Sequence, residues 1–296
     1  MNAGIRKRLA AAAAVLSISA ALLVSAPGAG SAAPAATPSL RAFGITGDGT
    51  QMATFTTDRP NVNDWVRDII GLSGDTALIG IDFRVQNGLM YGVGNQGGIY
   101  TIKTPPATTD VQITKVSQLQ YTLNGTNFGV DFNPAADRLR VISDNGQNLR
   151  HNLNDHTTIQ DLNLTTPPIE GTTKGVSAAA YTNNDLNGAT ATTLFDINTT
   201  SDQVVIQSPA NNGTLSATGS LGIDAQINAG MDIFSTLSGG KTVSNAVFAA
   251  LTVPGANRPS LYSINIFTGE ATLVSDAVTS KFPINITDLA ISLTGS

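Results

Sequence analysis

The chain has 296 residues, with 16 basic against 21 acidic side chains and a net charge of −5. The balance turns still more acidic once the basic group at the extreme N-terminus is set aside, which argues against nucleic acid and anionic membrane surfaces as partners. There is no cysteine, so disulfides, thiolate metal sites and a cysteine nucleophile are excluded and packing alone must hold the fold.

Arg6, Lys7 and Arg8 precede an apolar run over 9–24 and a small-residue segment that ends near Ala32 or Ala33. These three regions predict a secretory signal peptide over 1–33, and therefore a secreted or cell-envelope protein. The run is too short for a membrane anchor and dissolves into Pro27, Gly28 and Gly30. A linker over 34–39 and one domain over 40–296 follow from this reading. Charged residues are only 12% of the chain, and the abundant Thr, Asn, Ser and Gly suit short strands joined by tight turns. The five Asn-x-Ser/Thr sequons, beginning at Asn124, Asn163, Asn198, Asn212 and Asn285, are read as products of that composition.

After a stretch at 61–74, NVNDWVRDIIGLSG, whose spacing leaves a short helix and an extra strand equally open, the chain repeats itself. It reads IGIDFRVQNGLMYGVGNQGGIY at 79–100 and FGVDFNPAADRLRVISDNGQNLR at 128–150. Gly80 matches Gly129, Asp82 matches Asp131 and Phe83 matches Phe132. After one extra residue, Leu89 matches Leu139, Asn95 matches Asn145 and Ile99 matches Leu149, a period of 49 to 50 residues. Weaker echoes begin at Gly175-Val176-Ser177 and Gly230-Met231-Asp232. Thr287-Asp288-Leu289-Ala290-Ile291 supplies only the first part of a unit, completed by RAFGIT at 41–46.

Within each unit apolar residues alternate with period two between Gly, Asn, Pro and Asp, which predicts about four strands per unit. An all-β propeller of five four-stranded blades follows, because such a unit buries its faces only against its neighbours. One blade is built from both chain ends, which closes the ring without a free edge. Six blades, a β-sandwich and a β-solenoid are the alternatives.

The segments GIDFR at 80–84, DFNPAADRLRVISDNGQNLR at 131–150, AAYTN at 179–183 and the span 192–215 resemble the bacterial DUF4394 family, over nearly all of the chain after the signal. The resemblance implies an exported protein with propeller-like repeats. It carries no activity and no catalytic residue.

Two clusters are candidate sites. Asp82, Asp131, Asp232 and Asp288 recur on the first strand of four units, with Ser177 in the fifth. On an innermost strand they form an axial ring of carboxylates that repel one another. That ring suits a cation such as Ca²⁺ or an acid/base pair, against the alternative of carboxylates bonded to the backbone of the adjacent blade. The second cluster is Arg138, Arg140, Asp144, Gln147, Asn148 and Arg150, whose arginines are missing from the preceding unit. Arginines grouped with amides suit a polar or acidic ligand. The alternative is an Asp/Arg network that ties two blades together.

The only histidines, His151 and His156, sit five apart in HNLNDHTT and are read as a surface loop, without the spacing of a metal motif. Asn183-Asn184-Asp185-Leu186-Asn187-Gly188 imitates the start of a Ca²⁺ loop, but Leu194 stands where the bidentate Glu belongs. The expectation is an exported, non-enzymatic binding or scaffolding propeller that needs no cofactor and meets a polar small molecule, glycan or protein. The rival is a carboxylate-dependent glycan hydrolase or lyase, or a lactonase-like hydrolase, working at the central channel.

Overall fold

The computed structural model describes residues 37–296. The expected signal peptide and the first residues of the expected linker lie outside the described residues. Short alternating segments bounded by Gly, Asn and Asp turns become twenty strands, and these associate as five antiparallel four-stranded blades around one axis.

In chain order, β1 (Arg41–Thr46), β2 (Gln51–Thr56) and β3 (Trp65–Ile70) form most of the first blade. The second blade is β4 (Leu78–Arg84), β5 (Leu89–Gly94), β6 (Gly98–Lys103) and β7 (Val111–Gln118). The third is β8 (Phe128–Asn133), β9 (Arg138–Ser143), β10 (Asn148–Asn152) and β11 (Thr157–Gln160). The fourth runs through β12 (Val176–Tyr181), β13 (Leu194–Asn198), β14 (Gln203–Gln207) and β15 (Leu215–Ser220). The fifth is β16 (Gly230–Ser238), β17 (Lys241–Leu251), β18 (Ser260–Ile264) and β19 (Ala271–Leu273). The last strand, β20 (Ile286–Ile291), returns to pair with β1 and becomes the innermost strand of the first blade. Five blades and closure by β20 and β1 are as the repeat predicts, and among the described residues neither a sixth blade nor a two-sheet sandwich forms.

The ambiguous stretch at 61–74 contains no helix. Trp65 opens β3, the outer strand of the first blade, and packs on Phe43 with ring centroids 6.1 Å apart. Ile69 and Ile70 then pair in parallel with Val111 and Gln112, which joins the outer edges of the first and second blades into one eight-stranded sheet.

Alternation sends successive side chains into opposite seams. Leu139 and Val141 pack toward the second blade, and Ile142 packs with Val176 and Leu194 of the fourth. Five such apolar cores fill the five seams. The repeated glycine has a steric reason. A Cβ on Gly80 would lie 2.3 Å from Val130 Cγ2, and one on Gly129 would lie 2.6 Å from the amide nitrogen of Ala179. Innermost strands touch at these points, so a side chain is excluded.

The strand registers correct the alignment of the first two full units. Asp82 opposes Tyr91 as Asp131 opposes Arg140, and Gly92 opposes Tyr100 as Val141 opposes Leu149. The offset is a constant 49 with no inserted residue. Met90, not Leu89, is the counterpart of Leu139, and Tyr100, not Ile99, that of Leu149.

Candidate functional site: the axial channel

The innermost strands bring the acids to the axis, but not as one ring at one level. Counting back from the amide that follows a blade's second strand and bonds to the carbonyl ahead of its innermost strand (Gly47, Asn95, Asp144 and Thr199) aligns the blades. The acidic position then holds Asp82, Asp131 and Asp232 in the second, third and fifth blades, Ala290 in the first and Ala180 in the fourth. Asp288 stands two residues before Ala290, at the level of Gly80 and Gly230. A Cβ on either glycine would come within 3.2 Å of an Asp288 carboxylate oxygen. Ser177 does not hold the fifth acidic position, because it sits in a bulge of β12, fully buried, with its hydroxyl unbonded among the described residues.

Each acid accepts a backbone amide from the innermost strand of the following blade. The bonds are Ile81 N to Asp288 Oδ2 at 2.8 Å, Phe132 N to Asp82 Oδ2 at 2.7 Å, Tyr181 N to Asp131 Oδ1 at 3.2 Å and Ile291 N to Asp232 Oδ2 at 2.5 Å. Four of the five seams are stapled this way. The remaining seam, between the fourth and fifth blades, is tied by the loop that imitates a Ca²⁺ site. Asp185 accepts Thr242 N and Thr242 Oγ1, and Asn184 Nδ2 donates to the Ile233 carbonyl.

One carboxylate oxygen each of Asp82, Asp131 and Asp232 lies within 4.8 Å of the others. Burial pushes all four axial acids above the ordinary carboxylate range, with Asp232 raised to about 6, and repulsion among the carboxylates adds to the rise at Asp82, Asp131 and Asp288. Either protons or a cation relieves such a cluster. The three oxygens are hard donors of the kind Ca²⁺ takes, fewer than its usual six to eight. All four acids are at least 94% buried, with Asp82 the most exposed at 6%. A glycosidic pair must flank a substrate bond in an open cleft, and these acids do not face one.

The arginine cluster is placed inside the molecule. Arg140, on β9, is 2% exposed. It donates to Asn148 Oδ1 and Asp161 Oδ2, each at 2.7 Å, to Asn211 Oδ1 at 2.9 Å and to the Tyr181 hydroxyl at 3.3 Å. Arg150 shares Asp161 at 3.0 Å. Asn148 donates to the carbonyls of Leu162 and Ala210, and Gln147 to that of Thr122. Asp144 accepts the amides of Thr126 and Asn127. Arg138 donates to the carbonyls of Ala136 and Asp137 in its own turn. Arg140 and Asn148 thus tie the third blade to Tyr181, Ala210 and Asn211 of the fourth, with Arg150 joined through Asp161, while Arg138, Asp144 and Gln147 bond within or just before the third blade.

Sequence reasoning missed Asp196 beside that network. It is fully buried, neither carboxylate oxygen has a hydrogen-bond partner among the described residues, and burial pushes its proton affinity up against the opposing pull of Arg140. It stands on the second strand, outside the repeated Gly-x-Asp, so no pattern marks it.

What remains open at the axis is its mouth. A cavity of about 220 Å³ is lined by Gly47 and Thr287 of the first blade, Ile79 of the second, Asn127 of the third and Asn228 of the fifth, among others. Thr287 stands directly before the buried Asp288. Among the described residues no helix is long and apolar enough to cross a membrane.

The chain is similar to several solved structures at low identity. A protein of unknown function from Bacteroides thetaiotaomicron is 13% identical, with 89% of this chain and 68% of that one covered and a TM-score of 0.46. Glutaminyl cyclase from Myxococcus xanthus is 12% identical, with 77% and 100% covered and a TM-score of 0.44. The WD40 domain of Toxoplasma gondii coronin is 11% identical, with 83% and 61% covered and a TM-score of 0.39. No curated protein matches the chain. The sequence model described as "Domain of unknown function (DUF4394)" matches residues 51–290, and the chain belongs to that family.

Proposed function

We propose that the chain is an exported, non-enzymatic binding module that takes an uncharged polar chain end, such as the terminus of a neutral glycan, at the mouth of its central channel. The observation that carries this reading is the lining of the mouth. Residues that lead into or begin the innermost strands of four blades meet there, and every side chain among them is uncharged: Thr126, Asn127, Asn228 and Thr287 offer hydroxyls and amides, and Leu78, Ile79 and Phe128 offer apolar surface. Its 220 Å³ falls below the roughly 300–1,000 Å³ of pockets that engulf a whole small molecule. A terminal unit fits that volume better than an entire ligand.

The capped and buried axial acids give the hydrolase reading no support, and the arginine network leaves little guanidinium surface for an acidic ligand. The test is titration with neutral and uronic-acid oligosaccharides, followed by NMR or calorimetry, on the natural chain and on Asn228→Trp, which fills the mouth. Binding of neutral oligosaccharides that is lost in Asn228→Trp without a fall in Tm supports the reading. Equal binding by both proteins, or binding of the acidic ones alone, overturns it.

A further inference from the structure

The chain has two histidines, and the fold brings both to one hydroxyl. His151 lies on β10, His156 lies in the turn to β11, and Ser117 reaches them from β7 of the second blade. Ser117 Oγ is 2.9 Å from His151 Nε2 and 2.9 Å from His156 Nδ1. The two ring nitrogens are therefore no farther apart than twice that distance. They converge at the edge of a cavity of about 600 Å³ lined by Lys115, Ser117, Gln120 and His156, among others.

We propose that this point, where the outer strand of the second blade meets the third, is a binding site for a divalent transition-metal ion, with His151 Nε2 and His156 Nδ1 as ligands. Imidazole is a borderline donor that suits Cu²⁺, Ni²⁺ and Zn²⁺, and a cysteine-free chain offers no competing thiolate. A metal-bound histidine needs its other ring nitrogen held by a partner. His151 Nδ1 already meets Thr158 Oγ1 at 2.9 Å. Thr158 Oγ1 also accepts Gln120 N at 3.0 Å, and its second lone pair serves a protonated Nδ1.

The two imidazoles differ in a way that suits capture. His151 is fully buried and locked. His156 is exposed in a turn and is free to close the M–N distance to the roughly 2.0–2.1 Å that a metal requires. Ser117 Oγ or water fills a third position. The remaining positions open on the cavity, so Cu²⁺, at the top of the divalent affinity order, binds most tightly. Of the charged groups around the site, Lys115 opposes a cation, with its ammonium engaged by the Ser73 carbonyl at 3.0 Å, and Asp155 favours one.

The experiment is calorimetric titration of the full untagged chain with Cu²⁺ and Zn²⁺, with nitrogen hyperfine splitting in the Cu²⁺ EPR spectrum as the second readout. Expected are one Cu²⁺ per chain, coupling to two nitrogens, and tighter binding of Cu²⁺ than of Zn²⁺. His156→Ala, at an exposed turn, should fold normally and bind Cu²⁺ about tenfold or more weakly, since loss of an outer-shell partner alone costs 10–100-fold. Ser117→Ala should keep the two-nitrogen spectrum. Absence of saturable binding, or binding unchanged in His156→Ala, overturns the assignment. Neither outcome bears on the channel mouth.

Discussion

Leu289 lies directly opposite Gly44, so the last strand of the chain is the hydrogen-bonded neighbour of the first. Closure thereby rests on backbone pairing between the two ends, with Ile286, Leu289 and Ile291 buried against Phe55 and Phe248. Each of those side chains contributes about 1.5–3 kcal/mol by burial, a large share of a typical margin of about 5–15 kcal/mol. A chain ending before Ile286 is expected to lose its folded monomer and expose β1 as a pairing edge. Size-exclusion chromatography and limited proteolysis check this, and a protease-resistant monomer with the Tm of the natural chain would refute it.

Gly129→Ala tests the close approach of innermost strands. The new methyl meets backbone atoms of Ala178 and Ala179 at 2.6–2.8 Å, where nothing flexible can give way. Overpacking of this kind costs about 1–3 kcal/mol, read as a drop in Tm of about 2–4 °C per kcal/mol at this size. Gly188→Ala is the control, since its Cβ would meet nothing within 4 Å, and its change should stay within about 0.5 kcal/mol.

Arg140 and Arg150 share Asp161 but differ in burial, and their variants should separate accordingly. Arg140→Ala takes from Asp161 its more buried partner, leaves Asn148 Oδ1 with the longer bond from Gln207 and removes the donor of Asn211, in a seam where the guanidinium side chain is 2% exposed, and breaking a buried pair costs about 3–5 kcal/mol. Arg150 has a side chain 27% exposed, and Asp161 keeps its other partner when Arg150 is removed, so Arg150→Ala should cost about 1 kcal/mol or less. Urea denaturation of the two variants measures the difference. Equal small losses would return the cluster to the list of ligand sites.

The architecture is legible because its signals are local and repeated: period-two alternation, Gly-x-Asp at the first strand, and turn residues between. What misled is equally physical. Leu89 and Leu139 are alike in type, so a spurious insertion lined them up, whereas the sheet pairs by backbone register and is indifferent to side-chain identity. Asp288 looks like the fourth member of a ring because Thr287-Asp288-Leu289 resembles Ile81-Asp82-Phe83. The pairing of Asp288 with Ile45, equivalent to that of Gly80 with Val93, instead puts it at the glycine position, two residues nearer the mouth. Charge density around Arg140 marks a special place but cannot say whether its partners are internal, since Tyr181 and Asn211 come from distant sequence. The meeting of His151, His156 and Ser117 is invisible for the same reason: Ser117 belongs to another blade.

Asp232 allows the axial chemistry to be read as stability. Its pKa rises from the ordinary 3.8 to about 6 on folding, through burial, so between those values the folded chain holds a proton that the unfolded chain releases. Stability must then fall as pH rises from about 4 to about 6, and level off above for this group. The shift corresponds to about 3 kcal/mol once both states are ionised. Asp82, Asp131 and Asp288 are raised in the same direction and prolong the decline. Carboxylates lowered by hydrogen bonds, such as Asp144 and Asp185, act only on the acid side of 3.8, with the opposite sign. Asp232→Asn keeps an acceptor for the Ile291 amide and removes one titration. Its unfolding free energy should therefore fall less than that of the natural chain between about pH 4 and pH 7, by up to about 3 kcal/mol. Urea titrations at the two pH values measure it, and a decline identical in both proteins would place the relief of the axial charge on something other than bound protons.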